Sequence, residues 1–528
     1  MAEISELFVG LLLAVAGLGL LARKLKIAYP ILLVLGGLAL GVIPGLPNVR
    51  LHPDLIFLFF LPPLLFPAAL FTSWRDFRAN LRPILLLAVG LVLFTTAAVG
   101  LLAHYVIGLP LAAGFVLGAI VSPPDAIAAA AIAERLSVPR RIVAILEGES
   151  LVNDATALVA YRFAVAAVAT GSFSLTHASS QFFIVSIGGI AIGLSVGWMA
   201  AWFHRQVDDA PIEVTVSLLT PFVAYLAAER LHVSGVLAVV TAGLFLGWRT
   251  PEITTSTTRL QAGPFWNMVE FLLNGFVFIL IGLELPDSLR SQGGHSLPEL
   301  VWYGLVISLA VVLIRILWVF PATYLPRLLF KGIRARDPYP GWQHVTVVAW
   351  TGMRGVVSLA AALALPLTLR SGAPFPGRDL ILFLTFCVIL ATLVLQGLSL
   401  PFLIRWLGIK DDRASEKEER DARLKANRAA LLRLNQTAER DPAKVDALQR
   451  LRIEYEDRIR QLESYEPEKA DSPSHLFSSE YEALSYEGLQ IERDMILRLR
   501  NESVINDEVL RRIQRDIDFA EARLRRRE

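Results

Sequence analysis

A short polar segment interrupts a long apolar run near the middle of the chain, where residues 148–154 read GESLVND. On a helix, Ser150 and Asp154 lie four residues apart and share one face, while Glu149 and Asn153 share the adjacent face. Hard oxygen donors grouped in this way suit Na⁺, Li⁺ or H⁺ better than a soft metal, which prefers His or Cys ligands. The spacing therefore predicts an ion or proton site. The alternative is a polar helix that pairs internally with arginines.

A second polar segment, SPPD at residues 122–125, contains two adjacent prolines. Pro123 and Pro124 remove two backbone donors and clash with the preceding turn, so we expect the helix to break beside Asp125. A break leaves carbonyl oxygens and half-helix ends that can replace part of a cation's hydration shell. The alternative is a simple proline kink in which Asp125 caps the second half-helix.

A third segment, TGMRGVVS at residues 351–358, places Arg354 between Gly352 and Gly355. The glycines indicate unwound or closely approached backbone, and a buried arginine requires an acidic partner. We predict Glu149 as that partner, because a permanent pair with Asp154 would keep this carboxylate from taking a cation.

Three other arginines lie inside or at the ends of apolar segments. For Arg162 and Arg315, contact with carbonyl groups or snorkelling toward the interface is as well supported as a role in transport, and Arg405 is expected to be an interfacial anchor.

These segments belong to a chain with two contrasting parts. Of 528 residues, 54% are hydrophobic and 19% charged. Residues 1–408 contain 25 basic and 20 acidic side chains, whereas the remaining 120 residues contain 25 and 28. Because a span needs roughly 20 mainly apolar residues, the first part predicts an all-α polytopic membrane domain. Thirteen spans are expected at about 4–22, 29–46, 55–71, 83–106, 110–134, 140–168, 181–204, 212–230, 233–248, 264–286, 299–326, 344–369 and 379–406.

The distribution of basic residues predicts the orientation of the spans. Loops after odd-numbered spans contain sixteen Lys and Arg, and loops after even-numbered spans contain five. By the positive-inside rule, the N-terminus is expected outside and the C-terminus in the cytoplasm, in a cell inner (plasma) membrane. The two interrupted spans are the fifth and the twelfth. If the seventh span joins two halves, each interruption is the fifth span of its half, which is typical of an inverted-repeat transporter.

With GESLVND, SPPD and the GMRG of residues 352–355, the first 408 residues resemble the prokaryotic sodium/proton exchanger family of the monovalent cation/proton antiporter superfamily. The resemblance implies a homodimer in which a six-helix core bundle moves past a dimerisation domain. It implies that Asp154 carries the ion or the proton, with Ser150 and Asp125 as ligands directly or through water. It also implies a contribution from the carbonyl of Pro124.

Two further features follow from the resemblance. Asn153 followed by Asp154 is similar to the pattern of the electroneutral members, and Glu149 with Arg354 resembles their structural ion pair. One departure is Pro67, which stands where many prokaryotic members have a glutamate, so a carboxylate ligand from the third span is absent.

These features predict secondary active exchange of Na⁺, or Li⁺, for H⁺ by alternating access, with both ions competing at Asp154. A K⁺/H⁺ antiporter is the nearer alternative, and an ion channel or membrane sensor the more distant one. The sequence contains no TVGYG selectivity filter and no span with the repeated arginines of a voltage sensor.

Without an HExxH motif or clustered histidines, no enzyme activity and no cofactor are expected. Neither part has the basic excess of a nucleic-acid-binding protein, and the single Cys387 excludes a disulfide framework or a cysteine metal site.

Residues 409–528 are expected to form a helical, soluble cytoplasmic tail. Apolar residues recur there at helical spacing, as Leu448, Leu451, Tyr455, Ile459 and Leu462. The tail is interpreted as a regulatory element or a support of the dimer, with a passive helical appendage as the alternative. Its partner is not predicted.

Overall fold

The chain divides into two compact helical units, residues 1–412 and 413–528. The computed structural model describes residues 2–25, 27–42, 56–125, 129, 132–133, 136, 138–171, 175–290, 296–369, 372–409, 414–440, 445–464, 473–502, 513–514 and 516–521. Within these ranges no β-strand occurs, and Thr368 and Pro374 form an isolated bridge. The all-α prediction is confirmed.

The first unit contains sixteen described helices. They are α1 Ala2–Leu25, α2 Tyr29–Gly41, α3 Leu61–Phe71, α4 Trp74–Ala79, α5 Leu81–Ile107, α6 Leu111–Val121, α7 Arg140–Thr170, α8 Leu175–His204, α9 Ala210–Arg230, α10 Gly235–Ile253, α11 Ser256–Arg290, α12 Leu297–Leu329, α13 Lys331–Arg336, α14 Trp342–Trp350, α15 Val356–Leu363 and α16 Arg378–Trp406. A π-helical turn, Ile56–Phe60, precedes α3.

Each of the thirteen predicted spans coincides with helical structure in the described residues. In the part of the chain that the structure describes, eight helices are long and apolar enough to cross a membrane, and three shorter apolar helices accompany them. The polytopic membrane fold is therefore confirmed, while the total of thirteen stays a prediction.

The surface of the first unit carries large apolar side chains in helical rows. On α12, Leu305, Leu309, Leu313 and Leu317 recur every four residues, and each is more than half exposed. Such a continuous apolar face is stable against lipid but not against water. The row thus identifies a side of the unit that faces the hydrocarbon core.

Local signals explain where several helices begin. Asp209 caps α9 by accepting a hydrogen bond from the Ile212 amide at 3.1 Å. Ser234 caps α10 in the same way, at 3.2 Å from the Leu237 amide. These caps satisfy amide groups that have no partner within the helix, and they fix the residues at which α9 and α10 begin.

Close backbone contact joins α2 to α11. A Cβ added to Gly37 would lie 2.1 Å from the carbonyl oxygen of Ile279, and one added to Gly282 would lie 2.2 Å from that of Val34. Small residues permit such an approach between membrane helices. The two helices therefore pack as a tight pair.

The second unit is helical, as predicted for the tail, with α17 Ala414–Arg440, α18 Val445–Ser464 and α19 Pro473–Asn501. An ion pair of 2.7 Å between Arg428 and Glu463 joins α17 to α18. Leu448 of the predicted stripe is buried, whereas Leu451 is 42% exposed. The stripe is thus only partly covered in this structure.

Candidate functional site

Two interrupted helices meet in the first unit. Helix α6 ends at Val121, and residues 122–125 are non-helical; α14 ends at Trp350, and α15 begins only at Val356. The Asp125 amide donates a hydrogen bond to the Met353 carbonyl at 2.7 Å, which ties one break to the other. The predicted breaks in the fifth and twelfth spans are confirmed.

The contact between the breaks depends on a glycine. A Cβ added to Gly355 would lie 1.8 Å from Oδ2 and 2.7 Å from Cγ of Asp125. No side chain fits in that space. Gly355 therefore lets the Asp125 carboxylate lie directly against the backbone of the second break.

The place where the two breaks, residues 122–125 and 351–355, meet is called the crossing below. Helix α7 presents the predicted Asn153–Asp154 pair to the crossing. Asn153 is fully buried, and its Nδ2 donates to the Pro124 carbonyl at 2.7 Å. Its Oδ1 has no hydrogen-bond partner among the described residues. Asn153 thus holds α7 against the first break through the carbonyl that the sequence singled out.

Asp154 is the buried carboxylate of the crossing. Its side chain is 5% exposed, and its charge interacts with that of Asp125. Within the described part of the chain, no hydrogen bond or ion pair reaches this carboxylate. Ser150 lies one turn earlier on the same face of α7 and is half-buried. The structure therefore brings Asp125, Asn153, Asp154 and the Pro124 carbonyl together, with Ser150 one turn away.

The structure corrects the predicted pair between Glu149 and Arg354. Glu149 forms a bidentate ion pair with Arg315 of α12, at 2.6 and 2.8 Å, and both side chains are buried. Arg315 also donates to the Val348 carbonyl from Nε at 3.2 Å and from Nη2 at 3.0 Å. Two parallel hydrogen bonds give the strongest geometry available to an arginine and a carboxylate. Arg315 therefore neutralises Glu149 and also donates hydrogen bonds to the Val348 carbonyl.

Arg354 binds carbonyl groups at the break, although it remains within electrostatic reach of Glu149. Its Nε donates to the Val121 carbonyl at 2.9 Å, and its Nη1 donates to the Gly352 carbonyl. Its amide donates to Oγ1 of Thr392 at 3.1 Å. A helix that ends inside a membrane leaves carbonyls without partners. Arg354 supplies a donor for the last carbonyl of α6.

A second polar group near the crossing was missed by the sequence reasoning. Nδ2 of the buried Asn274 lies 3.5 Å from the Tyr29 hydroxyl. The charges of both Glu270 and Asp125 act on Tyr29. Glu270 and Asn274 lie four residues apart on α11, which is the same signal that identified Ser150 and Asp154.

Pro67, the position at which many family members have a glutamate, is buried in α3 and supplies no carboxylate.

Two broken helices that meet beside a buried Asn–Asp pair are typical of a membrane transporter. The family model for the sodium/hydrogen exchanger transmembrane domain matches residues 10–406. The chain belongs to the sodium/hydrogen exchanger family.

Two relatives agree with this membership. An uncharacterized Na⁺/H⁺ exchanger of Mycobacterium tuberculosis (strain ATCC 25618 / H37Rv) is 37% identical over 520 residues, which cover 98% of this chain and 95% of the relative. A sodium, potassium, lithium and rubidium/H⁺ antiporter of Bacillus subtilis (strain 168) is 37% identical over 389 residues, which cover 71% and 58%.

The fold is also similar to that of a solved structure. The sodium proton antiporter MjNhaP1 from Methanocaldococcus jannaschii at pH 8 aligns with a TM-score of 0.60 and 21% sequence identity. The alignment covers 77% of this chain and 99% of that one. At this identity, the similarity concerns the fold.

Proposed function

We propose that this protein exchanges Na⁺, or Li⁺, for H⁺ across the membrane and that the two ions compete for the Asp154 carboxylate. The observation that carries the proposal is the contrast between two acids on α7. Arg315 neutralises Glu149, whereas no described group of opposite charge pairs with the buried Asp154. A charge kept at such depth requires a counter-ion or a proton.

The surrounding groups have distinct roles in this proposal. Asp125 and Ser150 supply further oxygen ligands to the cation, directly or through water. The Pro124 carbonyl supplies another, and its hydrogen bond with Asn153 orients it. Arg315 and Arg354 hold the two breaks in place through Val348 and Val121, so that the oxygen donors are arranged before the ion arrives.

Alternating access completes the mechanism. In one orientation Asp154 exchanges Na⁺ for H⁺ with the solution on one side, and in the other it does so on the opposite side. We propose electroneutral exchange, because the site helix presents Asn153 with one aspartate rather than two. We further propose a homodimer in the inner (plasma) membrane, with the N-terminus outside and the tail in the cytoplasm.

A broader cation range is the second candidate. The Bacillus subtilis relative is named as an antiporter of sodium, potassium, lithium and rubidium, and a site made of oxygen donors can accept any of these ions. Transport of K⁺ would then accompany transport of Na⁺.

Both candidates are tested in everted membrane vesicles that hold an acidic interior and a pH-sensitive dye. Na⁺, Li⁺ and K⁺ are added in turn. We expect dequenching with Na⁺ and Li⁺, which indicates proton efflux coupled to cation uptake. An equal response to K⁺ would favour the broader range, and no response to any cation would contradict cation/proton antiport.

A further inference from the structure

A cavity of about 370 Å³ lies between α7 and the group formed by α8, α9 and α10. Its wall combines apolar side chains with Arg162, Tyr225, Glu229 and Ser234. Leu158, also in the wall, lies four residues after Asp154 on the same face of α7. At 1.5 Å per residue, the cavity begins about 6 Å along the helix axis from Asp154.

An ion pair crosses this cavity. Nη2 of Arg162 lies 2.6 Å from Oε1 of Glu229, and the two side chains are 51% and 32% exposed. Arg162 is on the helix that carries Asp154, whereas Glu229 is on α9, which packs against α8 and α10. Any displacement of α7 relative to α9 must therefore stretch or break this pair.

The pair has properties that suit a contact made and broken in each cycle. Exposed ion pairs are weak, because water solvates the separated charges well. A buried bidentate pair, such as Glu149 with Arg315, would resist separation. Glu229 would also attract cations to the cavity once Arg162 moves away.

We propose that this cavity is the access route to Asp154 from one membrane face and that the Arg162–Glu229 pair is its gate. The pair closes the route in the present conformation and opens when α7 moves. This inference rests on the proposed exchange by alternating access, and it assigns Arg162 and Glu229 as positioning residues rather than ion ligands.

The test uses a short bifunctional thiosulfonate cross-linker on the full-length protein in proteoliposomes. Cys387→Ser removes the native thiol, and Arg162→Cys with Glu229→Cys creates the reactive pair. We expect cross-linking to stop Na⁺-driven proton flux and a reducing agent to restore it. Unchanged flux after complete cross-linking, verified by mass spectrometry, would overturn the inference.

A matched control uses the ion pair between Arg249 and Glu252, which lies within α10 at 3.1 Å. Cross-linking Arg249→Cys with Glu252→Cys in the same background is expected to leave the flux intact. Without cross-linker, the Arg162→Glu variant should lose flux and the double exchange Arg162→Glu/Glu229→Arg should recover it. If the uncross-linked Cys387→Ser protein shows no exchange with any cation, the proposed function itself fails. If that protein exchanges and the Arg162→Cys/Glu229→Cys variant still exchanges after cross-linking, the gate alone fails.

Discussion

Two acids five residues apart on α7, Glu149 and Asp154, differ in the partner each receives. Glu149 accepts two hydrogen bonds from Arg315, so its charge is cancelled at its own depth. Asp154 is also buried, yet the charge that acts on it is that of another carboxylate, Asp125. Two carboxylates close together cannot both stay ionised without a cation. In the proposed mechanism, the chemistry of exchange therefore centres on Asp154.

Replacing Asp154 with Asn removes the only charge that the proposed competition needs and keeps the volume of the side chain. We expect no Na⁺-dependent proton flux in vesicles, with normal amounts of protein in the membrane. Wild-type vesicles at matched protein levels are the control. Substantial remaining flux would refute competition at Asp154.

Replacing Ser150 with Ala removes one proposed oxygen ligand and leaves the carboxylates in place. We expect the apparent Na⁺ constant to rise by about tenfold, since one contact to a charged group contributes about 1.5 kcal/mol. The maximal rate should change less. A titration of Na⁺ in vesicles measures both quantities, and an unchanged constant would remove Ser150 from the ligand set.

The partner of Glu149 can be tested by stability. Glu149→Gln leaves Arg315 buried without its counter-charge, and breaking such a pair costs about 3–5 kcal/mol. We expect a lower melting temperature in detergent. A double-mutant cycle with Arg315→Gln should give a larger coupling energy than the matched cycle with Arg354→Gln. A larger coupling to Arg354 would contradict the observed pairing.

At the scale of elements, the crossing depends on backbone groups that helices normally satisfy internally. The end of α6 is satisfied by Arg354, and the Asp125 amide by Met353. Each break thus completes the hydrogen bonding of the other. Because these hydrogen bonds join the two breaks, a displacement of either broken helix should also displace the Asp125 carboxylate.

Gly355→Ala tests this coupling. The added methyl would lie 1.8 Å from Oδ2 of Asp125, so the carboxylate or the break must shift. We expect loss of most cation-dependent flux. Gly263→Ala in α11 is the matched control, because nothing lies within 4 Å of its added Cβ. Equal activity of the two variants would show that the contact is dispensable.

The breaks were predictable from sequence because proline and glycine act locally. Two adjacent prolines, or two glycines beside a buried arginine, disturb a helix whatever surrounds it. Whether Arg315 or Arg354 pairs with Glu149 was not predictable, since the pairing depends on how α12 packs against α7. Glu270 was missed although its spacing to Asn274 repeats that of Ser150 to Asp154.

At the scale of the whole molecule, the distribution of basic residues connects the fold to its orientation. Three arginines, Arg82, Arg141 and Arg327, surround Asp337 at one end of the membrane unit, at 2.5 to 3.6 Å. They come from the N-terminal ends of α5 and α7 and the C-terminal end of α12, which meet at Asp337, so one side of the unit carries this positive charge. By the positive-inside rule we predict that this end faces the cytoplasm.

Reporter fusions test this orientation directly. Arg82, Arg141 and Arg327 all lie in or beside predicted loops that follow odd-numbered spans, and the tail leaves the membrane on that same side when the span count is odd. We expect a C-terminal green fluorescent protein to fluoresce and a C-terminal alkaline phosphatase to be inactive. A fusion after residue 290, in a loop that follows an even-numbered span, should give the opposite result. An active phosphatase at the C-terminus would contradict the predicted position of the tail, because it would require either an even number of spans or an N-terminus inside the cell.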